Sequence, residues 1–232
     1  MRNWSWLLIS AVLHGACASV YGACAFAAPP AHVEISYEIA RNGTTMAEVQ
    51  HLLEHNDRLY QITETWKGRG LLSLRGSATR TSRGLVSATG LKPLEFTDER
   101  SGRHTARAKF DWQSNTVTMQ YKGDARVEPL PARAHDRLAF LFDFAFAPPV
   151  REVAFDLLDG RGQSHHVYTV YGQERLKTPA GDFNALRVMR GSGNERSEIW
   201  LAVDHSFLPL RVLVTEMDGT SYDQVAVKIT VK

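Results

Sequence analysis

Apolar and polar residues alternate along most of this chain with a period of two, the spacing that buries one face of a β-strand. Val33 to Ile39 shows it most clearly: Val33, Ile35, Tyr37 and Ile39 are apolar, with Glu34, Ser36 and Glu38 between them. Asn42-Gly43 follows, a pair that tolerates positive φ at both central positions of a tight hairpin. Leu59 to Trp66 places Tyr60, Ile62 and Trp66 on one face, and Thr105 to Trp112 points Ala106, Ala108, Phe110 and Trp112 inward. Further strands are predicted at Thr116 to Tyr121, Val153 to Leu158, His166 to Tyr171, Ile199 to Val203 and Leu210 to Val214. Val225, Val227, Ile229 and Val231 end the chain in strict alternation. Turn residues separate these runs about every 8–12 positions, as in an all-β sandwich or barrel. The expectation is all-β: a strongly curved antiparallel sheet or incomplete barrel of about 11–13 strands.

One segment departs from this pattern. From Asp136 to Phe146 the apolar residues Leu138, Leu141, Phe142 and Ala145 fall at helical spacing. Asp136 can cap such a helix, and Pro148-Pro149 would end it. It is too apolar for a surface, so it reads as one short helix covering or plugging the sheet, with a buried strand as the alternative. About eight strands make a barrel that side chains can fill, so a larger sheet needs a lumen, a plug or flattening. Gly123 to Arg133, with Pro129 and Pro131, reads as a connecting loop inside one domain.

The N-terminus changes the picture of where the protein works. Arg2 precedes a mostly apolar stretch, and small residues accumulate up to Ala25-Phe26-Ala27, the pattern of an exported chain's cleavage site. Residues 1–27 are read as a signal peptide cleaved after Ala27, and residues 28–232 as a single β-rich domain in the periplasm. Cys17 and Cys24, the two cysteines of the chain, both lie in this segment. A lipid-attachment signal wants a leucine-like residue three positions before the cysteine. Here His14 and Tyr21 stand there.

A net charge of +2 gives no footprint for nucleic acid. Its distribution is less even: residues 66–110 hold ten Lys or Arg against three acids. Parity puts Arg103, Arg107 and Lys109 on one strand face. A solvated outer face accounts for that arrangement. Anionic lipid headgroups, gripped by arginine forks, would also suit it.

Candidate chemistry is sparse. There is no G-x-S-x-G nucleophile elbow. His104, His135, His165, His166 and His205 have no motif partners, and the adjacent pair His165-His166 would point to opposite faces of a strand. Glu195, Glu198 and Asp204 flank Trp200, a composition that would suit glycoside chemistry only at the right carboxylate separation. No catalytic residue, metal ligand set or cofactor is assigned.

Several blocks resemble a known family. Tyr168-Thr169-Val170 and the run from Glu174 to Phe183 (ERLKTPAGDF) are the most specific. Ile199-Trp200-Leu201-Ala202, Leu208-Pro209-Leu210-Arg211, Gly90-Leu91-Lys92-Pro93 and His135-Asp136-Arg137-Leu138 are shorter. Together they resemble the exported bacterial family called domain of unknown function 3108, across roughly the whole mature chain as one domain. The resemblance implies a periplasmic β-rich protein, similar to the incomplete barrels that chaperone lipoproteins. It brings no assigned activity, and likeness of fold does not establish function.

The leading expectation is an envelope protein that binds a lipid or other amphiphile in a concave sheet. Acyl chains would lie on Leu138, Leu141 and Phe142, and the anionic headgroup near Arg103, Arg107 and Lys109. The alternative is a non-catalytic interaction or scaffold module whose partner is another envelope protein, bound along a sheet edge. A hydrolase built from scattered residues ranks third.

Overall fold

The structure is a computed structural model that describes residues 29–193 and 195–232. The segment read as a signal peptide, with its expected cleavage site and both cysteines, lies outside the described residues. The first half of the chain forms β1 (His32–Arg41), β2 (Thr44–His55), β3 (Leu59–Gly68), β4 (Ser77–Ser87), β5 (Gly90–Arg100), β6 (Ala106–Asp111), β7 (Thr116–Tyr121) and β8 (Asp124–Pro129). A two-residue strand, β9 (Ala134–His135), leads into helix α1 (Ala139–Phe146). The second half forms β10 (Glu152–Leu158), β11 (Gln163–Thr178), β12 (Gly181–Ser192), β13 (Glu195–Ala202), β14 (Leu208–Thr215) and β15 (Ser221–Val231).

All fifteen strands join one curved sheet, which runs from β8 back to β1, across to β15, and back again to β9. The first and last strands therefore pair in its middle, with Val33 opposite Val231 and Arg41 opposite Tyr222. Neighbouring strands are antiparallel apart from the short β9–β10 pair. The strand total exceeds the sequence reading partly because of β8, which lies in the stretch read as a loop. Its residues are largely exposed on both faces, so no alternation marks it.

The inward face carries the core. Val33, Ile35, Tyr37, Leu53, Ile62, Phe96, Ala108 and Met119 are all essentially buried. On β15 the expected strict alternation fails. A bulge at Val227 shifts the register, so that Ser36 pairs with Lys228 but Tyr37 pairs with Ala226. Ala226, not Val225 or Val227, packs inward, and Gln224 shares its side.

Helix α1 is buried on nearly every side, as a helix that is apolar all round must be. It sits inside the sheet as a plug. Asp136 caps its entry: Oδ1 accepts the Leu138 and Ala139 amides at 2.8 and 2.9 Å. Oδ2 accepts the Ser82 hydroxyl at 2.5 Å, and the Tyr60 hydroxyl lies 3.0 Å from Ser82 Oγ. Further along, Asp143 accepts the Leu91 amide at 2.6 Å. Gly90 makes that approach possible, since a Cβ there would stand 2.3 Å from Asp143 Oδ1. Phe140 stacks on Tyr168 at 5.6 Å, and Phe144 meets Phe155 edge-on at 5.5 Å.

The two ends of the sheet meet without a ladder. The β10–β11 turn presses onto β6, where Gly160 leaves room for the Arg107 backbone. Arg161 in that turn pairs with Asp98 of β5 at 2.9 Å and covers the Tyr121 ring of β7. The result is barrel-like but incompletely closed.

Candidate functional site

Inward positions on several strands break the apolar rows with polar residues. His51 on β2, Glu64 on β3 and Arg80 on β4 face the interior from one wall. His166 and Tyr168 on β11, Arg190 on β12, Ser197 on β13 and Gln224 on β15 face it from the other. With Arg137 at the entry to α1, these residues line a cavity of about 400 Å³. Leu138, Phe140, Leu141, Leu157, Val212 and Val214 give the same cavity an apolar lining.

The carboxylates here are already engaged. Glu64 Oε1 is paired with Arg80, and its Oε2 lies 3.0 Å from His51 Nε2. Burial alone would raise its pKa. The His51 hydrogen bond and the charges of His51, Arg80 and Arg137 outweigh that effect and hold it at about 2. Asp98, next along the same wall, meets Arg80 at 3.4 Å, Arg100 at 2.8 Å and Arg161 at 2.9 Å. Burial opposes its ionisation as well, but these arginines hold it at about 2.

The cations are not all matched. Among the described residues, neither Arg137 nor Arg190 forms an ion pair. Arg137 is solvent-exposed and lines the cavity. Burial and the neighbouring Arg80 charge lower its pKa, while Asp159, Glu64 and Asp98 act on it only at longer range. Arg190 approaches the Tyr168 hydroxyl. His166 Nε2 lies 2.9 Å from Ser164 Oγ. Burial, then Arg190, His165 and Arg137, push its imidazole down to about 4, so it is neutral at pH 7. Seven buried side-chain nitrogens lack a hydrogen-bond partner among the described residues, and five of them belong to cavity residues: His51, Arg80, His166, Arg190 and Gln224. Buried polar atoms are ordinarily satisfied, so this concentration marks the cavity out.

The structure separates the two halves of the site expected from sequence. Leu138 and Leu141 line the cavity. Phe142 lies buried beneath them, 5.7 Å from the His51 ring. Arg107 and Lys109 point the other way, because Ala106, Ala108 and Phe110 take the inward positions of β6. Arg107 instead lies among Glu95, Glu99 and Arg83 on the outer surface. Arg103 shares no strand face with them, since it falls in the turn between β5 and β6 and is exposed. The arginines that do face the apolar residues are Arg80, Arg137 and Arg190. One signal pointed to Arg190, which shares the parity of Leu186 and Val188.

Catalytic geometry is weak. Ser164 and His166 touch, but His166 Nδ1 has no acid to orient it, and a nucleophile's base needs that third group. Glu198 is buried on the outer face between Arg187 and Arg196. Asp204 accepts a hydrogen bond from Asn184 at 2.7 Å. Both are committed elsewhere. Among the described residues, no three His, Cys, Asp or Glu side chains are placed to hold a metal ion, and no helix is long and apolar enough to cross a membrane.

The blocks that carried the family resemblance meet in two places. Glu174, Leu176, Phe183, Trp200, Leu210 and Arg211 build a second, outer cluster, where Trp200 Nε1 donates to Glu174 at 2.5 Å. Gly90, Leu91, His135 and Asp136 lock α1 in place, with His135 lying 3.4 Å from Asp143. Burial depresses the His135 imidazole, but Asp143 outweighs it and the pKa is raised.

Fold and cavity together define a barrel-like β-protein with a plugged, partly polar interior. The family described as "Protein of unknown function (DUF3108)" matches residues 33–226, and the chain belongs to that family. No curated protein matches it. Among solved structures it is similar to a β-barrel-like protein of domain of unknown function 1849 from Brucella abortus. That likeness has a TM-score of 0.56 at 8% identity and covers 89% of this chain and 100% of that one. A candidate lipoprotein from Parabacteroides distasonis gives a TM-score of 0.39 at 8% identity, covering 88% of this chain and 98% of that one. A candidate exported protein with a YmcC-like fold from Bacteroides fragilis gives 0.34 at 10% identity, with 89% and 100% covered. The likeness to the Brucella protein concerns the fold alone.

Proposed function

We propose that this is an exported, non-catalytic binding protein of the cell envelope that holds a small amphiphile inside its curved sheet. One observation carries the reading: the interior cavity of about 400 Å³ has a polar cationic wall and an apolar wall. Its volume falls in the range of small-molecule sites. Each buried CH₂ of a ligand on the apolar wall would contribute about 0.8 kcal/mol. The export signal at residues 1–27 supports a periplasmic location.

The scaffold reading has less support. The free edge of β8 carries Asp124, Arg126 and Glu128 and closes on Pro129, and charges and proline are what natural edges use to discourage pairing. The outward positions of β1–β3 include Glu34, Glu38, Glu48, Gln61 and Lys67, which does not suit the lipid-facing band of a membrane barrel.

Native mass spectrometry of the protein purified from its own cell envelope tests this reading. The expected spectrum contains a co-purifying small amphiphile, lost in a Val214→Trp variant that fills the cavity from β14. Ligand-free protein that also takes up no amphiphile when it is supplied would remove the carrier reading.

A further inference from the structure

The cavity holds three guanidiniums, Arg80, Arg137 and Arg190, against one carboxylate, Glu64. Arg80 and Glu64 are paired, which leaves Arg137 and Arg190 as uncompensated charge. Arginine cannot shed its proton as a buried lysine can. Arg190 is partly buried and Arg137 exposed, and water solvates such guanidiniums without neutralising them. Two such groups face one space, and His166 Nδ1 and Arg190 Nε in its wall have no partner. Planar arginine forks match oxyanions in two-point hydrogen bonds. A neutral imidazole beside them can donate a further hydrogen bond without adding charge that the site must carry when empty.

We propose that the ligand's head is an oxyanion, a carboxylate or phosphate monoester, bound by Arg137 and Arg190 beside His166, with its single chain on Leu138 and Leu141. This rests on the amphiphile reading and names the ligand class for that site. A cationic or neutral head would leave both guanidiniums unmatched.

The test is binding to the mature protein, measured calorimetrically below micelle concentrations, with decyl phosphate, decanoate, decanol, decyltrimethylammonium and inorganic phosphate. Expected is binding of decyl phosphate or decanoate at least tenfold tighter than decanol, and weaker still for the ammonium compound. The tighter of the two anions identifies the head. Arg137→Gln and Arg190→Gln should each cost at least tenfold for the anions and leave decanol unchanged, while Arg107→Gln on the outer face changes nothing. Circular dichroism and unfolding curves confirm that the variants fold. Equal affinity for decanol and the anions, or anion binding indifferent to both arginine changes, would overturn the proposal while sparing the carrier reading. Binding of inorganic phosphate that depends on Arg137, with no decyl compound bound, would overturn the carrier reading and the placement of a chain with it, leaving an oxyanion site alone.

Discussion

Two arginine-rich regions of this molecule look alike in composition and differ in how their charges close. Around Trp200 on the outer face, Arg187 and Arg211 lie over the ring at 5.2 and 4.8 Å. Glu198 takes Arg187 and Arg196, and Asp223 takes Arg211 through two bonds of 2.8 Å. Each guanidinium there has a carboxylate partner, with Arg187 and Arg196 sharing Glu198. In the cavity, Arg137 and Arg190 have none. Arginine density therefore does not mark a site. A closed charge set is architecture, and an open one facing a cavity is where the proposed ligand would supply the missing charge.

The largest effects should come from breaking closed networks. Asp136→Ala removes the cap of α1 and the acceptor of Ser82 together, at a cost of about 3 kcal/mol in urea unfolding. Glu198→Ala strands Arg187 and Arg196, with an expected cost of about 2–3 kcal/mol, below a fully buried pair because Arg196 is partly exposed. Glu198 lies on the outer face, so ligand affinity in the folded fraction of that variant should match the parent protein.

Acid separates the two kinds of region further. Glu64 and Asp98 have folded pKa values near 2, below their ordinary 4.5 and 3.8. A depressed carboxylate contributes stability that is complete above its unfolded pKa and lost as pH falls through the folded one. Stability should therefore decline from about pH 4.5 toward about 2, and Glu64→Gln or Asp98→Asn should flatten that decline in pH-dependent unfolding. The smallest effect on stability belongs to the open set. Arg137→Leu should leave unfolding free energy nearly unchanged, because it removes an exposed charge that has no ion-pair partner.

Much of the architecture is legible in the sequence, and the reasons lie in particular residues. Val33 to Ile39 and Ala106 to Trp112 alternate because each strand has one buried and one wet face. The Asp136 cap and the two prolines after Ala147 frame α1 because a buried apolar helix needs its ends satisfied. The pairing of β1 with β15 is not legible, since contact across the whole chain leaves no local trace. The bulge at Val227 also hides, because its four branched residues alternate perfectly on paper. Alternation hides the cationic wall of the cavity for a related reason: it treats arginine as outward. Thr79-Arg80-Thr81-Ser82-Arg83 is polar throughout, so nothing local shows that Arg80 and Ser82 face inward while Arg83 does not. The cavity exists only where nine strands and α1 with its entry converge.

The contrast between open and closed arginine sets is tested most directly by a crystal structure of the mature protein soaked with decyl phosphate. The account predicts phosphate oxygens within hydrogen-bonding distance of Arg137 and Arg190, with the alkyl chain along Leu138 and Leu141. Phosphate bound instead on the outer face at Arg107 and Lys109, or an interior that stays free of it at saturating concentration, would contradict it.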